Sequence, residues 1–107
     1  MTLLERVQAL LPEMTYQEKL SLLGQITEDV HPGIEQTPDV CGGVACITGT
    51  RIPVWAVVGY KQLGASDAVL LQVYPTLDAE KLSHAWAYYR FHQDEIARQI
   101  AENETDE

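Results

Sequence analysis

"CGGVACITGTRIPVW", residues 41–55, holds both cysteines of the chain, three of its seven glycines, and Arg51 set between Gly-Thr and Ile-Pro. Thiol chemistry, a phosphate cradle and a turn system are the three ways to read it. Four residues separate Cys41 from Cys46 and no second cysteine pair exists, so a tetrahedral zinc site lacks ligands. A redox pair has two intervening residues at a helix start, which this stretch does not offer. A P-loop needs Gly-Lys-Ser/Thr entering a helix; here Gly49 leads to Thr50-Arg51 and then Ile-Pro, which favours extended backbone. The turn reading remains: Gly42, Gly43 and Gly49 supply backbone conformations closed to other residues, and Pro53 ends the segment. It predicts short strands at 34–36 and 50–52, joined by a loop over 37–49, with Ile47, Ile52 and Val54 pointing inward.

Downstream the pattern is helical. "VWAVVGYKQL" is apolar almost all round and predicts a buried helix. Gly64 is placed to end it in a left-handed conformation, and Ser66 to cap the next helix, with Asp67 in its first turn. That helix stops before Pro75, because Tyr74 is pushed out of helical geometry. From 77 to about 101 one helix is predicted. Leu82, Trp86, Tyr89, Ile96 and Ile100 form its stripe, Gln93 fills a polar slot, and Tyr88 and Phe91 widen the face. The end, "ENETDE", places acids at the negative pole and predicts a disordered tail over 102–107.

Upstream, residues 1–30 predict a helical hairpin broken at Pro12. Capping boxes at Thr2/Glu5 and Thr15/Glu18 start its members. Leu3, Leu4, Val7, Leu10 and Leu11 form one stripe; Tyr16, Leu20, Leu23, Ile26 and Val30 form the other. Such stripes pack into the core, or serve dimerisation or partner docking.

The fold class is therefore mainly α. A trihelical, homeodomain-like helix-turn-helix core (about 53–63, 66–73 and 77–101) carries a short β-ribbon and the N-terminal hairpin. Residues 31–101 are expected to form one compact domain with the 1–30 extension.

Charge limits the function classes. Sixteen acids against seven Lys and Arg leave a formal net charge of −9. Residues 1–53 carry seven acids and three bases, and residues 54–107 carry nine and four. A chain so acidic repels a polyanion at long range and suits a basic protein surface better. The reading helix would open on Asp78, Glu80, Lys81 and His84, so any DNA contact rests on Lys81, His84 and Arg90. No apolar run approaches a membrane span, and two cysteines without a secretion pattern predict a cytoplasmic setting. Ser21, Ser66 and Ser83 sit in helices or at a cap, and the adjacent acids Glu28-Asp29 and Asp94-Glu95 diverge on a helix. No nucleophile, base and orienting group assemble, and no catalytic residue, metal or cofactor is expected.

"PDVCGGVACITGTRIPVWAVVGYKQLGASDAVLLQVYPTLDAEKLSHAWAYY" (38–89) resembles the DUF433 family. The resemblance covers roughly residues 34–96, with Gly49-Thr50-Arg51-Ile52-Pro53-Val54 its most specific part. Val44-Ala45 stand where that family usually has Arg-Pro, and the N-terminal hairpin is an addition to its short core. The resemblance implies a helix-turn-helix-like fold and a VapB-like antitoxin of a type II toxin–antitoxin pair. Its partner would be a PIN-like ribonuclease toxin, with autoregulation of the operon as a homodimer. The implied partner-binding residues are Thr48, Thr50 and Arg51. Arg51 either binds an internal acid or loop carbonyls, or contacts the acidic metal site of the nuclease. A stand-alone helix-turn-helix DNA-binding regulator and a non-catalytic oligomerisation module are the other readings.

Overall fold

The computed structural model describes residues 1–37 and 41–104. Its order is α1 (Leu3–Leu10), a 3-10 turn (Leu11–Glu13), α2 (Tyr16–Val30), β1 (Ile34–Glu35), a 3-10 turn (Cys41–Gly43), β2 (Cys46–Ile47), β3 (Ile52–Pro53), α3 (Val54–Gln62), α4 (Asp67–Val73), α5 (Ala79–Phe91) and α6 (Gln93–Glu104). It is a mainly helical fold with a small antiparallel sheet in the order β1-β2-β3.

Local chemistry sets most boundaries. Both predicted capping boxes are present, with Thr2 and Thr15 accepting from the amides of Glu5 and Glu18. Ser66 caps α4 through the Val69 amide, and Asp78 caps α5 through the Lys81 amide. After α3, Gly64 takes φ +102°, its amide bonds to the Lys61 carbonyl and that of Ala65 to the Tyr60 carbonyl. This doubly closed end is what a left-handed glycine cap provides. The first amide of α3, on Val54, donates to the Ala45 carbonyl at 3.0 Å, so the ribbon satisfies one end of the helix.

The sheet corrects the predicted ribbon. Cys46–Ile47, inside the predicted loop, is the central strand: Ile34 pairs with Ile47, and Ile47 with Ile52. Residues 38–40 of that loop lie outside the described residues. Ile47, Ile52 and Val54 do face inward, joining Ile34, Val57, Val58, Leu70, Leu77, Leu82, Ala85, Tyr88 and Ile96 in one core.

The predicted 77–101 helix is two helices. His92 leaves helical geometry (φ −135°, ψ 37°), and α6 restarts and runs on to Glu104, inside the predicted tail. Residues 105–107 of that tail lie outside the described residues. The break turns α6 back so that it lies along α3 and buries Ile96. It also shifts the buried face of α5, which is Leu82, Ala85 and Tyr88; Trp86 and Tyr89 are half-buried, and Phe91 is exposed. Around α5 pack α3, α4, α6, β1 and β2, so it is the central element.

The N-terminal stripes do not reach the core. No residue of α1 is buried, and Thr27 is the buried residue of α2. Gly24 and Thr27 seat α2 on the strand that follows. A Cβ at Gly24 would stand 2.8 Å from the Gln36 carbonyl oxygen, and the Thr27 hydroxyl donates to Gln36 Oε1 at 3.0 Å. That docking leaves Tyr16, Leu23, Ile26 and Val30 exposed beside it. The molecule measures 49 × 31 × 22 Å, elongated rather than round. No helix among the described residues is long and apolar enough to cross a membrane.

Candidate functional site

The hairpin between β2 and β3 presents Thr48, Gly49, Thr50 and Arg51 at its tip. Thr50 donates its amide (3.1 Å) and its hydroxyl (2.7 Å) to the Ile47 carbonyl, and its hydroxyl accepts from the Ile52 amide at 3.1 Å. Gly49 at φ +81° occupies the third position of that turn, which requires a positive φ. Arg51 follows at φ +58°, a left-handed conformation that costs a side-chain-bearing residue about 1–2 kcal/mol. The Cys41 thiol donates to the Arg51 carbonyl at 3.0 Å and so holds that peptide from behind. Cys41 is itself left-handed at φ +55°, followed by Gly42 at +68° and Gly43 at +85°. The glycine-bearing stretch thus forms a brace behind Arg51.

The Arg51 side chain is exposed and makes no ion pair or side-chain hydrogen bond among the described residues. Within those residues, the internal acid or carbonyl partner expected for it is absent. Thr48 is exposed too, while Thr50 is half-buried and spends its hydroxyl on the turn.

The two thiols are free. Cys46 is fully buried, with its sulfur 3.7 Å from Glu35 Oε1. Burial, the adjacent Cys41 thiol and the Glu35 carboxylate push its pKa far above the usual thiol range. It is a protonated packing group at neutral pH and a poor nucleophile. Among the described residues, no group of three or more His, Cys, Asp and Glu is arranged to hold a metal ion.

The structure sets Arg90 apart from the other two candidate DNA contacts, Lys81 and His84. Lys81 and Arg90 are nine positions apart, which places them on opposite sides of α5. Lys81 pairs with Asp78 at 3.2 Å, and its amide and ammonium hold the Asp78 carboxyl below its ordinary pKa. The His84 ring packs against Gly33 so closely that a Cβ there would lie 2.0 Å from Nδ1. Arg90 is exposed near the end of α5. The open strip of that helix runs Glu80, Ser83, Ala87, Arg90, with an acid at its start. Instead, Lys81 and His84 share a concavity of about 220 Å³ with Thr48, Gly33, Asp78 and Glu80. The Thr48 amide donates to the Gly33 carbonyl at 3.0 Å, which fixes the hairpin tip at this rim.

One cluster escaped the sequence reading. His31 Nε2 and His92 Nε2 lie 3.3 Å apart, the Tyr88 ring stacks on His92 at 4.0 Å, and the Tyr88 hydroxyl donates to Glu95 Oε2 at 2.6 Å. Burial and the neighbouring His92 lower the His31 pKa. Burial and the Glu95 carboxylate raise that of Tyr88. The cluster joins the end of α2 to the break between α5 and α6. Tyr88, His92 and Glu95 are near neighbours in sequence, but His31 stands 61 positions from His92, so no spacing signals their meeting.

The fold defines a small helical protein built on a braced three-stranded ribbon. A family model described as "Protein of unknown function (DUF433)" matches residues 34–89. The chain belongs to the DUF433 family. The crystal structure of a DUF433 member protein from Anabaena variabilis ATCC 29413 matches with TM-score 0.64 and 40% identity, covering 94% of this chain and 99% of that one. Over 55 residues the chain is also 38% identical to the "Uncharacterized protein y4eO" of Sinorhizobium fredii, across 51% of this chain and 25% of that protein. The chain thus spans about a quarter of that relative's length.

Proposed function

We propose that this chain is a non-catalytic cytoplasmic binding protein, the antitoxin of a type II toxin–antitoxin pair, and that its hairpin tip docks against a PIN-like ribonuclease. The observation that carries the reading is Arg51, a cation held left-handed on an exposed tip with no side-chain partner among the described residues. Backbone strain persists where the surroundings hold it in place, and such sites cluster at binding surfaces. A guanidinium presents a planar fork of donors suited to paired carboxylates, such as those of a nuclease metal site. The reading takes α3, α4 and α5 as a trihelical helix-turn-helix unit. Autoregulation would then draw its DNA affinity from a homodimer or the bound partner, since the exposed strip of α5 opens on Glu80.

The test is co-expression with the product of the adjacent gene, which the reading requires to be a small nuclease, followed by pull-down and a ribonuclease assay. The chain is expected to copurify with that nuclease and to suppress it. Arg51→Ala weakens the complex by on the order of 30-fold, the loss of one central hot-spot side chain, without lowering the melting temperature. Equal binding by Arg51→Ala, or a nuclease that stays active beside the chain, refutes the assignment.

A further inference from the structure

The first two helices of the chain hold apolar faces that the rest of the molecule leaves uncovered. Leu3 (77% exposed), Leu4 (65%), Val7 (40%) and Leu10 (55%) line α1, and Tyr16 (73%), Leu23 (43%), Ile26 (48%) and Val30 (64%) line α2. The spacing in each is that of one helical face. An isolated helix below about 12 residues is marginal in water, and helices in proteins draw most of their stability from packing an apolar face. Helix α1 has eight residues and buries none of them. Its capping box supplies on the order of 1 kcal/mol, too little to hold it alone. The helix therefore requires a covering surface.

We infer that the cover is a second copy of this chain, with α1 and α2 of each copy packed across a two-fold axis as a four-helix arrangement. Two observations select it. The exposed apolar side chains amount to on the order of 800 Å², the share one partner contributes to a stable interface of standard size. Charge is the second. Arg6 and Lys19 are the bases of residues 1–30, both exposed and unpaired among the described residues. Helical periodicity sets Lys19 within the α2 stripe and Arg6 at the edge of the α1 stripe. It turns Glu5, Glu18, Glu28 and Asp29 roughly 100° or more away from the stripe centres. The two helical stripes are thereby free of acids in a chain of net charge −9, while the acids beside them, with Glu13 in the connecting turn, are available to the mate's Arg6 and Lys19. A two-fold axis makes each such pairing occur twice. This inference concerns the chain alone and stands apart from the toxin reading.

Sedimentation equilibrium on the purified full chain tests it. The parent is expected at twice its 12.0 kDa chain mass at micromolar concentration. Val7→Glu combined with Leu23→Glu should weaken self-association by at least about 100-fold and return the chain to monomer mass. Those side chains are not buried within one copy, so far-UV circular dichroism should show α2 to α6 retained. Gln25→Glu, on the opposite side of α2, should leave the dimer intact. Hydrogen exchange on the unaltered parent gives a second reading: α1 amides should become protected as concentration rises through the dissociation constant. A parent that stays monomeric, a dimer that survives both glutamates, or α1 exchange independent of concentration overturns the proposal. So does a monomeric parent that covers this face only with a different protein.

Discussion

Replacing Gly33 with alanine tests how the ribbon is seated against α5. The Ile34 amide bonds to the His31 carbonyl at 3.1 Å, closing a turn with Pro32 second and Gly33 third, at φ +87°. This is the turn that favours proline followed by glycine. Alanine meets two separable penalties there. The left-handed backbone costs about 1–2 kcal/mol. The new Cβ would stand 2.0 Å from His84 Nδ1, 2.6 Å from Cγ and 2.8 Å from Cε1. Cγ is anchored next to the α5 backbone, so relief requires a new rotamer or a shift of β1, an overpacking cost of about 1–3 kcal/mol. Gly33→Ala should thus lose about 2–5 kcal/mol, read from the urea midpoint at unchanged slope. In a His84→Ala background the ring is gone and the same change should cost only about 1–2 kcal/mol. An equal cost in both backgrounds would show that the ring does not press on this turn and would refute the packing argument.

Other perturbations follow from the same geometry. Arg51→Gly removes the left-handed strain and should stabilise the chain by about 1 kcal/mol in thermal melts, while weakening partner capture by on the order of 30-fold, as Arg51→Ala does. Gln99 is 6% exposed and its Oε1 has no partner among the described residues, so Gln99→Leu should stabilise the fold by about 1 kcal/mol, read as a higher urea midpoint. Protonation works in the opposite direction at His31. Its folded pKa lies below the ordinary 6.5, so the unfolded chain takes up the proton first. Stability should hold above about pH 6.5 and fall as pH drops through that value toward the lowered folded pKa; His31→Gln should flatten that limb of the profile in urea titrations.

Much of the helical framework was legible because local chemistry wrote it. Thr2, Thr15 and Ser66 cap the helices they were expected to cap, and Gly64 and Pro75 end the ones they were expected to end. Two features were not legible, for different reasons. Strand β2 is only Cys46–Ile47, too short to show an alternating pattern, and its pairing with Ile34 on β1 is non-local. The break at His92 carries neither Gly nor Pro. It is held by a tertiary contact from His31, 61 positions away, and by the ring of Tyr88, stacked on it from one turn back in α5. Period counting alone kept α5 and α6 as one stripe and so centred the face of α5 on Trp86 and Tyr89, which pack at the edge of the core, instead of on Ala85 and Tyr88, which are buried in it. For α1 and α2 the pattern itself was right. Amphipathicity states that a face is to be covered and not what covers it, so core packing was the natural expectation and the exposed stripes are the finding.

The site divides along the same line. Gly49 and Arg51 drew attention through composition, but the reason Arg51 faces outward is set by partners that sequence order hides. Cys41, ten residues back, holds its carbonyl, and Gly33, still earlier, holds the Thr48 amide. The thiols that first suggested chemistry therefore have separate structural roles: Cys46 packs under the sheet and Cys41 fixes a peptide. A cysteine used as a hydrogen-bond donor can be replaced by serine with its geometry largely kept, whereas one used as a nucleophile or ligand cannot. The distinction between a brace and a reactive centre thus rests on what Cys41 Sγ touches, a backbone oxygen at 3.0 Å, and not on the spacing of the two cysteines.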